Sequence, residues 1–178
     1  MRNRNSIVRA LLLAGGLLLL ALPAGAQIQA GSAEFEVYGG WYIPASVDND
    51  VTLGLRFGGN WTKSFNLQAT IGYLDTTEEV AGVDVDFQMT FVDLSAGWNA
   101  NPDSKAVCVL FAGPGWAWID ADSNSIAGND NSFTMNVGVA LKYQATDKLY
   151  VRPDIRGRWI DQSGDFDWEA SIGLGWRF

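Results

Sequence analysis

From residue 33 to the C-terminus, apolar and polar residues alternate with a period of two. In residues 51–61, Val51, Leu53, Leu55, Phe57, Gly59 and Trp61 share one face, and Thr52, Gly54, Arg56, Gly58 and Asn60 share the other. Successive side chains of an extended strand point to opposite sides, so this is the signature of a strand with one dry face and one wet face. Residues 133–144 and 166–178 repeat it. Eight segments qualify: 33–43, 51–61, 66–74, 84–98, 106–118, 132–144, 149–160 and 166–178. Each is long enough to cross a bilayer as a tilted strand. The connections 44–50, 75–83, 119–131 and 161–165 alternate with the tight turns 62–65, 99–105 and 145–148. Short turns at one end and longer loops at the other predict an all-β, eight-stranded, antiparallel up-and-down barrel.

Two segments depart from the pattern. In the fourth, the apolar phase runs Val85, Phe87, Met89, Phe91 and then shifts to Val92, Leu94, Ala96, Trp98. A one-residue slip of this kind predicts a β-bulge near Phe91 and Val92. In the fifth both faces are apolar, so either Val107, Val109 and Phe111 or Cys108, Leu110, Trp116 and Trp118 face outward. Pro153 removes one ladder donor from the seventh.

Charge decides which face is wet. The seventh segment carries Arg152, Asp154, Arg156 and Arg158 on one face, and the eighth carries Asp167, Glu169 and Arg177. With Glu34, Glu36, Arg56, Asp86, Asp93 and Lys142 added, the polar faces hold six bases and seven acids. A narrow lumen filled by side chains needs such near-neutrality, because buried charges must be paired. Turned toward lipid, each Arg near the midplane would cost about 2–4 kcal/mol. The exposed face of a water-soluble barrel would carry scattered Lys, yet three of the four Lys beyond residue 26 (63, 105 and 148, but not 142) lie in the tight turns. The aromatics agree. Trp41, Tyr73, Phe87, Phe133, Trp159, Phe166 and Trp168 gather toward the longer loops, and Trp61, Trp98, Tyr143, Trp176 and Phe178 toward the tight turns. Two such belts mark the two interfaces of a transmembrane barrel.

Residues 1–26 read as a cleaved export signal: Arg2, Arg4 and Arg9, then the apolar stretch 11–22, then Ala24-Gly25-Ala26. The barrel domain is then residues 27–178. Removing three Arg and no acid takes the formal net charge from −8 to −11. The chain has no His and the single Cys108, which excludes Ser-His-Asp and Cys-His catalysis and His- or Cys-rich metal sites. The acidic balance excludes a nucleic-acid partner.

The last residues, Ala170-Ser171-Ile172-Gly173-Leu174-Gly175-Trp176-Arg177-Phe178, resemble the C-terminal assembly signal of bacterial outer-membrane barrels. Ile172, Leu174, Trp176 and Phe178 carry the resemblance, alternating apolar residues that end in Phe. With the leader and the eight segments, the chain resembles the small eight-stranded barrels of the OmpA and OmpX type. The resemblance implies residence in the outer-membrane lipid, recognition by the barrel-assembly machinery and a monomeric state. No peptidoglycan-binding domain of the kind full-length OmpA-type proteins carry is expected.

The densest constellation is the ladder Arg152, Asp154, Arg156, Arg158. Across the hairpin 161–165, Arg158 should approach Asp167 and Arg156 should approach Glu169. With Glu34, Glu36, Arg56 and Arg177 these residues form an expected salt-bridge network that plugs the interior. The longer connections and their edges hold eleven acids and no Lys or Arg: Asp48, Asp50, Asp75, Glu78, Glu79, Asp84, Asp120, Asp122, Asp130, Asp161 and Asp165. They form an acidic rim that divalent cations would suit. Asp120, Asp122 and Asn124 imitate the opening of a calcium loop, but Ser125 and Asn131 stand where Gly and Glu are required. No cofactor and no enzymatic activity are implied. Three roles fit: a non-enzymatic outer-membrane barrel for envelope integrity or surface contact, a small passive pore, or a secreted soluble barrel holding an apolar ligand.

Overall fold

A computed structural model of the chain describes residues 28–44, 50–80, 83–122, 127–161, 164 and 166–178. The expected leader lies outside them. Eight strands run β1 (Ala33–Ile43), β2 (Asp50–Asn60), β3 (Phe65–Val80), β4 (Val83–Asn99), β5 (Ala106–Asp122), β6 (Ala127–Gln144), β7 (Leu149–Ile160) and β8 (Phe166–Arg177). Each pairs antiparallel with its sequence neighbours, and β1 pairs with β8, so the sheet closes on itself. The seam runs from Glu34 opposite Arg177 to Ile43 opposite Trp168. At the tight-turn end, side chains serve the backbone where the ladder stops. The Phe65 amide donates to Thr62 Oγ1 at 3.0 Å and the Leu149 amide to Thr146 Oγ1 at 2.9 Å. Asn101 accepts from the Cys108 amide and donates to the Ala106 carbonyl, both at 2.8 Å. Thr and Asn suit these positions because their short polar side chains reach backbone groups one turn away.

The longer connections are shorter than their composition suggests. Strands β3 and β4 pair as far as Val80 opposite Val83, and β5 and β6 as far as Asp122 opposite Ala127. The acidic stretches around Glu78 and Asp122 have no apolar alternation, so they read as loop. Ladder hydrogen bonds continue without it, because beyond the bilayer neither face of a hairpin has to meet lipid.

The expected bulge at Phe91 and Val92 is absent. The β3–β4 register runs unbroken from Phe65 opposite Trp98 to Val80 opposite Val83. The register with β5 is the same on both sides of an interruption at Leu94 and Ser95. That interruption faces Gly113 and Pro114, and the Gly113 carbonyl instead accepts from Asn136 Nδ2 at 2.8 Å. The apparent slip has another cause. Met89 and Phe91 point into the lumen and pack with Tyr42, Leu74, Ala117 and Ile160. The lumen is apolar at this height, so an inward residue there looks like an outward one in sequence. Phe87 shares their inward phase and does not join the aromatic belt. Strand five, open in the sequence, resolves in the same way: Val107, Val109 and Phe111 are buried, and Leu110, Trp116 and Trp118 face out.

Elsewhere the alternation is realised as read. Val51, Leu53, Leu55, Phe57, Met135, Val137, Val139, Leu141, Ile172 and Leu174 are exposed, while Arg56, Arg156 and Arg158 are at most 2% exposed. A water-soluble barrel holding an apolar ligand would have the opposite arrangement, so that reading is overturned. In this arrangement Ile155 lies mid-strand on the lipid face, 53% exposed. Ile155→Arg should lower the barrel's unfolding free energy in phospholipid vesicles by about 2–4 kcal/mol, read by denaturant titration, with Ile155→Ala costing far less.

Candidate functional site: the ionic lining of the barrel

The inward positions of six strands build a stack of ion pairs along the barrel axis. At the tight-turn end, Glu34 Oε2 meets Lys142 Nζ at 2.6 Å, and Glu34 Oε1 accepts from Arg177 Nε at 3.2 Å and Asn60 Nδ2 at 2.9 Å. Arg177 Nη2 reaches Gln144 Oε1 at 3.0 Å. One level higher, Arg56 joins Glu36 through Nη1, and its Nη2 lies 2.9 Å from Asp154 Oδ2 and 2.8 Å from Ser171 Oγ. Arg152 bonds Gln68 and stands 3.8 Å from both Glu36 and Asp154. Above this, Asp93 Oδ2 accepts from Arg156 Nη1 at 2.6 Å and Arg158 Nη2 at 2.9 Å, and Glu169 lies 3.6 Å from Arg158. Nearest the longer loops, Tyr42 donates to Asp167 Oδ2 at 2.6 Å.

These groups sit among aromatic rings. The Arg56 guanidinium stacks over Tyr38 at 3.8 Å and that of Arg158 over Phe91 at 3.7 Å, with Arg152 and Arg156 near Phe111. A planar, weakly hydrated guanidinium tolerates this setting better than an ammonium would. Space is made by small residues on the neighbouring strands. A Cβ on Gly173 would overlap the Glu36 carboxylate, and one on Gly115 would overlap Asp93 Oδ1. Among the described residues, the lining carries the acids Glu34, Glu36, Asp93, Asp154, Asp167 and Glu169 against the bases Arg56, Lys142, Arg152, Arg156, Arg158 and Arg177. Six against six leaves no net charge among these buried groups. Apolar clusters flank the stack, one beyond it toward the longer loops and one beside it along the β5 wall. Tyr42, Leu74, Met89, Phe91, Ala117 and Ile160 lie toward the longer loops, and Ile28, Val107, Val109, Phe111 and Ala140 toward the tight turns.

All ten residues of the expected network line the lumen. The hairpin register is also as read, with Arg156 opposite Glu169 and Arg158 opposite Asp167. The expected pairing is incomplete, because the lumen is narrow enough for long side chains to reach the far wall. Arg156 and Arg158 on β7 converge on Asp93 of β4, and Arg158 leans along β8 to Glu169. Asp93 and Lys142 were readable as polar lining but not as network members. Asp93 lies on β4, away from the β7–β8 hairpin whose register suggested the pairs, and Lys142 is the lone charge of residues 132–144. Ile172, Leu174, Trp176 and Phe178 all face outward at the seam. Among the described residues, no three His, Cys, Asp or Glu side chains are grouped to hold a metal ion.

A closed antiparallel barrel, apolar outside and charge-paired inside, is a transmembrane β-barrel. The chain belongs to the outer membrane protein beta-barrel domain family, whose pattern it matches over residues 13–178. It therefore resides in the lipid of a bacterial outer membrane. Solved barrels share its fold. The N-terminal β-barrel domain of Pseudomonas aeruginosa OprF is 19% identical with a TM-score of 0.66, over 84% of this chain and 98% of that one. Neisserial surface protein A is 13% identical with a TM-score of 0.67, over 83% and 99%. The attachment invasion locus protein Ail of Yersinia pestis is 13% identical with a TM-score of 0.60, over 84% and 100%. No curated protein sequence matches the chain.

Because Asp93 is the shared anion of two fully buried arginines, its loss should be felt more than that of any surface partner. Asp93→Ala should destabilise the barrel by about 3–5 kcal/mol in reversible unfolding, since it strands two buried cations. Asp103→Ala, which breaks the exposed pair with Lys63 (2.6 Å), should change stability by less than about 1 kcal/mol.

Proposed function

We propose that this protein is a non-enzymatic structural element of the outer membrane whose lumen is sealed by its ionic lining. The observation that carries this is the charge-neutral stack of buried ion pairs from Glu34 to Asp167, with apolar clusters packed toward the longer loops and along the β5 wall. A solute path would need a continuous file of water. Here ion pairs such as Asp93 with Arg156 and Arg56 with Asp154 reach across the lumen where such a file would run. Contact with the surroundings falls instead to the hairpins β3–β4 and β5–β6, which carry the pairing past the apolar belt and hold seven of the eleven acids of the longer connections. Those acids suit divalent cations and, through them, anionic lipid headgroups.

In this reading the chain is exported through a leader cleaved after Ala26 and works as a monomer. The outward row Ile172, Leu174, Trp176 and Phe178 is what the assembly machinery reads. The sealing role is tested by single-channel recording in planar bilayers. Wild-type protein should show no conductance, and Arg156→Ala, which opens the stack at its most buried cation, should show discrete openings. Steady wild-type conductance overturns the sealed reading and makes the protein a small passive pore.

A further inference from the structure

The segment ahead of β1 does not trail into solvent. Gly31 adopts φ +78°, a backbone conformation that glycine reaches without strain. This turn sends the chain back toward the barrel. Ser32 Oγ donates to the Gln29 carbonyl at 2.7 Å and closes the turn. The turn is pinned to the β2–β3 end. The Gly31 amide donates to the Asn60 carbonyl at 2.6 Å, the Asn60 amide to the Ser32 carbonyl at 2.9 Å, and Asn60 Nδ2 to Ser32 Oγ at 3.0 Å. Gln29, Ala30 and Gly31 are exposed, but Ile28 is 0% exposed. Its amide donates to the Pro102 carbonyl in the β4–β5 turn at 3.2 Å, and its side chain joins Val107, Val109, Phe111 and Ala140.

In a ring of eight strands β1 and β5 are diametrically opposite. Residues 28–32 therefore cross the whole mouth of the barrel, from the foot of β1 to the foot of β5. The rest of that mouth is covered differently. Asn66 Nδ2 bonds Asn99 Oδ1 at 3.0 Å, and Asn99 Nδ2 bonds the Lys63 carbonyl at 2.8 Å, which closes the β2–β4 side with side-chain amides. On the β5 side the wall is apolar, with Lys142 and Gln144 of β6 beside it. Val107 stands opposite Lys142 and Val109 opposite Ala140, but the ionic lining explains neither valine. Ile28 does, since an apolar wall at a polar mouth needs an apolar occupant to keep it from water.

We propose that residues 28–32 are a strap that closes the tight-turn mouth of the barrel, with Ile28 as its latch in a socket formed by Val107, Val109, Phe111 and Ala140. The strap shares Asn60 with the ionic lining, but the seating of Ile28 in its socket does not depend on whether that lining seals. Under the expected cleavage after Ala26, only Gln27 precedes the latch. The strap is then the chain's own beginning, and the mouth closes on a free end.

The test is chemical access to the socket in the folded barrel. Val107→Cys, in a Cys108→Ser background, places one thiol at the foot of β5 on the lumen face. A water-soluble maleimide should label it slowly while the strap is seated. Removing residues 27–31, or replacing Ile28 by Asp, should raise the labelling rate by about tenfold or more, because access then no longer waits on local opening. Both changes lie outside the strands, and heat-modifiable gel mobility confirms that each variant is folded. The deletion decides the matter if Ile28→Asp folds poorly. Fast labelling with the strap intact shows that the mouth is open and overturns the proposal. Labelling that stays slow after deletion shows that something other than the strap covers the socket and overturns it equally.

Discussion

A charge inside a membrane barrel must find its counter-charge within the barrel, and the rest of this structure follows from that constraint. Six cations and six anions line the described lumen, none of them more than 9% exposed. A buried ion pair adds little net stability, because desolvation offsets most of the attraction. Its larger effect is on register. A slip of one residue in β7 would turn Arg152, Arg156 and Arg158 onto lipid and leave Asp93 alone inside. The outer face, made of interchangeable apolar side chains, does not oppose such a slip nearly as strongly. The lining therefore decides which of several similar barrels this chain forms.

The barrel was legible because its two faces meet different solvents. Strands β2, β6 and β8 have a lipid side and a charged side, and a period-two pattern survives wherever that contrast holds. Legibility failed where the contrast vanished. Phe91 and Val107 face inward but are apolar, because the lumen at those heights is closed by packing rather than by charge. That alone produced the false bulge in β4 and the undecided phase of β5. The ends of β3–β6 were missed for the opposite reason. Past the bilayer both faces are wet, so the pairing leaves no hydropathy signal.

The site was legible by composition and less so by partner. Counting charges on inward phases found the network of ten, since a charged residue on a lipid-crossing strand has only the lumen to occupy. Pairing by hairpin register placed Arg156 and Arg158 beside the correct residues of β8. It did not show Asp93, which comes from a strand three places round the ring. Contacts across a lumen depend on diameter and side-chain length, and neither can be read along the chain.

The β1–β8 seam has a consequence for the order of events during biogenesis. Every other strand pair joins neighbours in the sequence, but this one joins Glu34 to Arg177 and Ile43 to Trp168. Hairpins can form as the chain emerges. The last ladder cannot form until the final strand has been delivered. A chain that loses its last strand keeps two open edges, each a row of unpaired backbone groups that a bilayer cannot hydrate. Strand β8 is thus the closing element: a chain interrupted before it cannot enter the membrane as a ring.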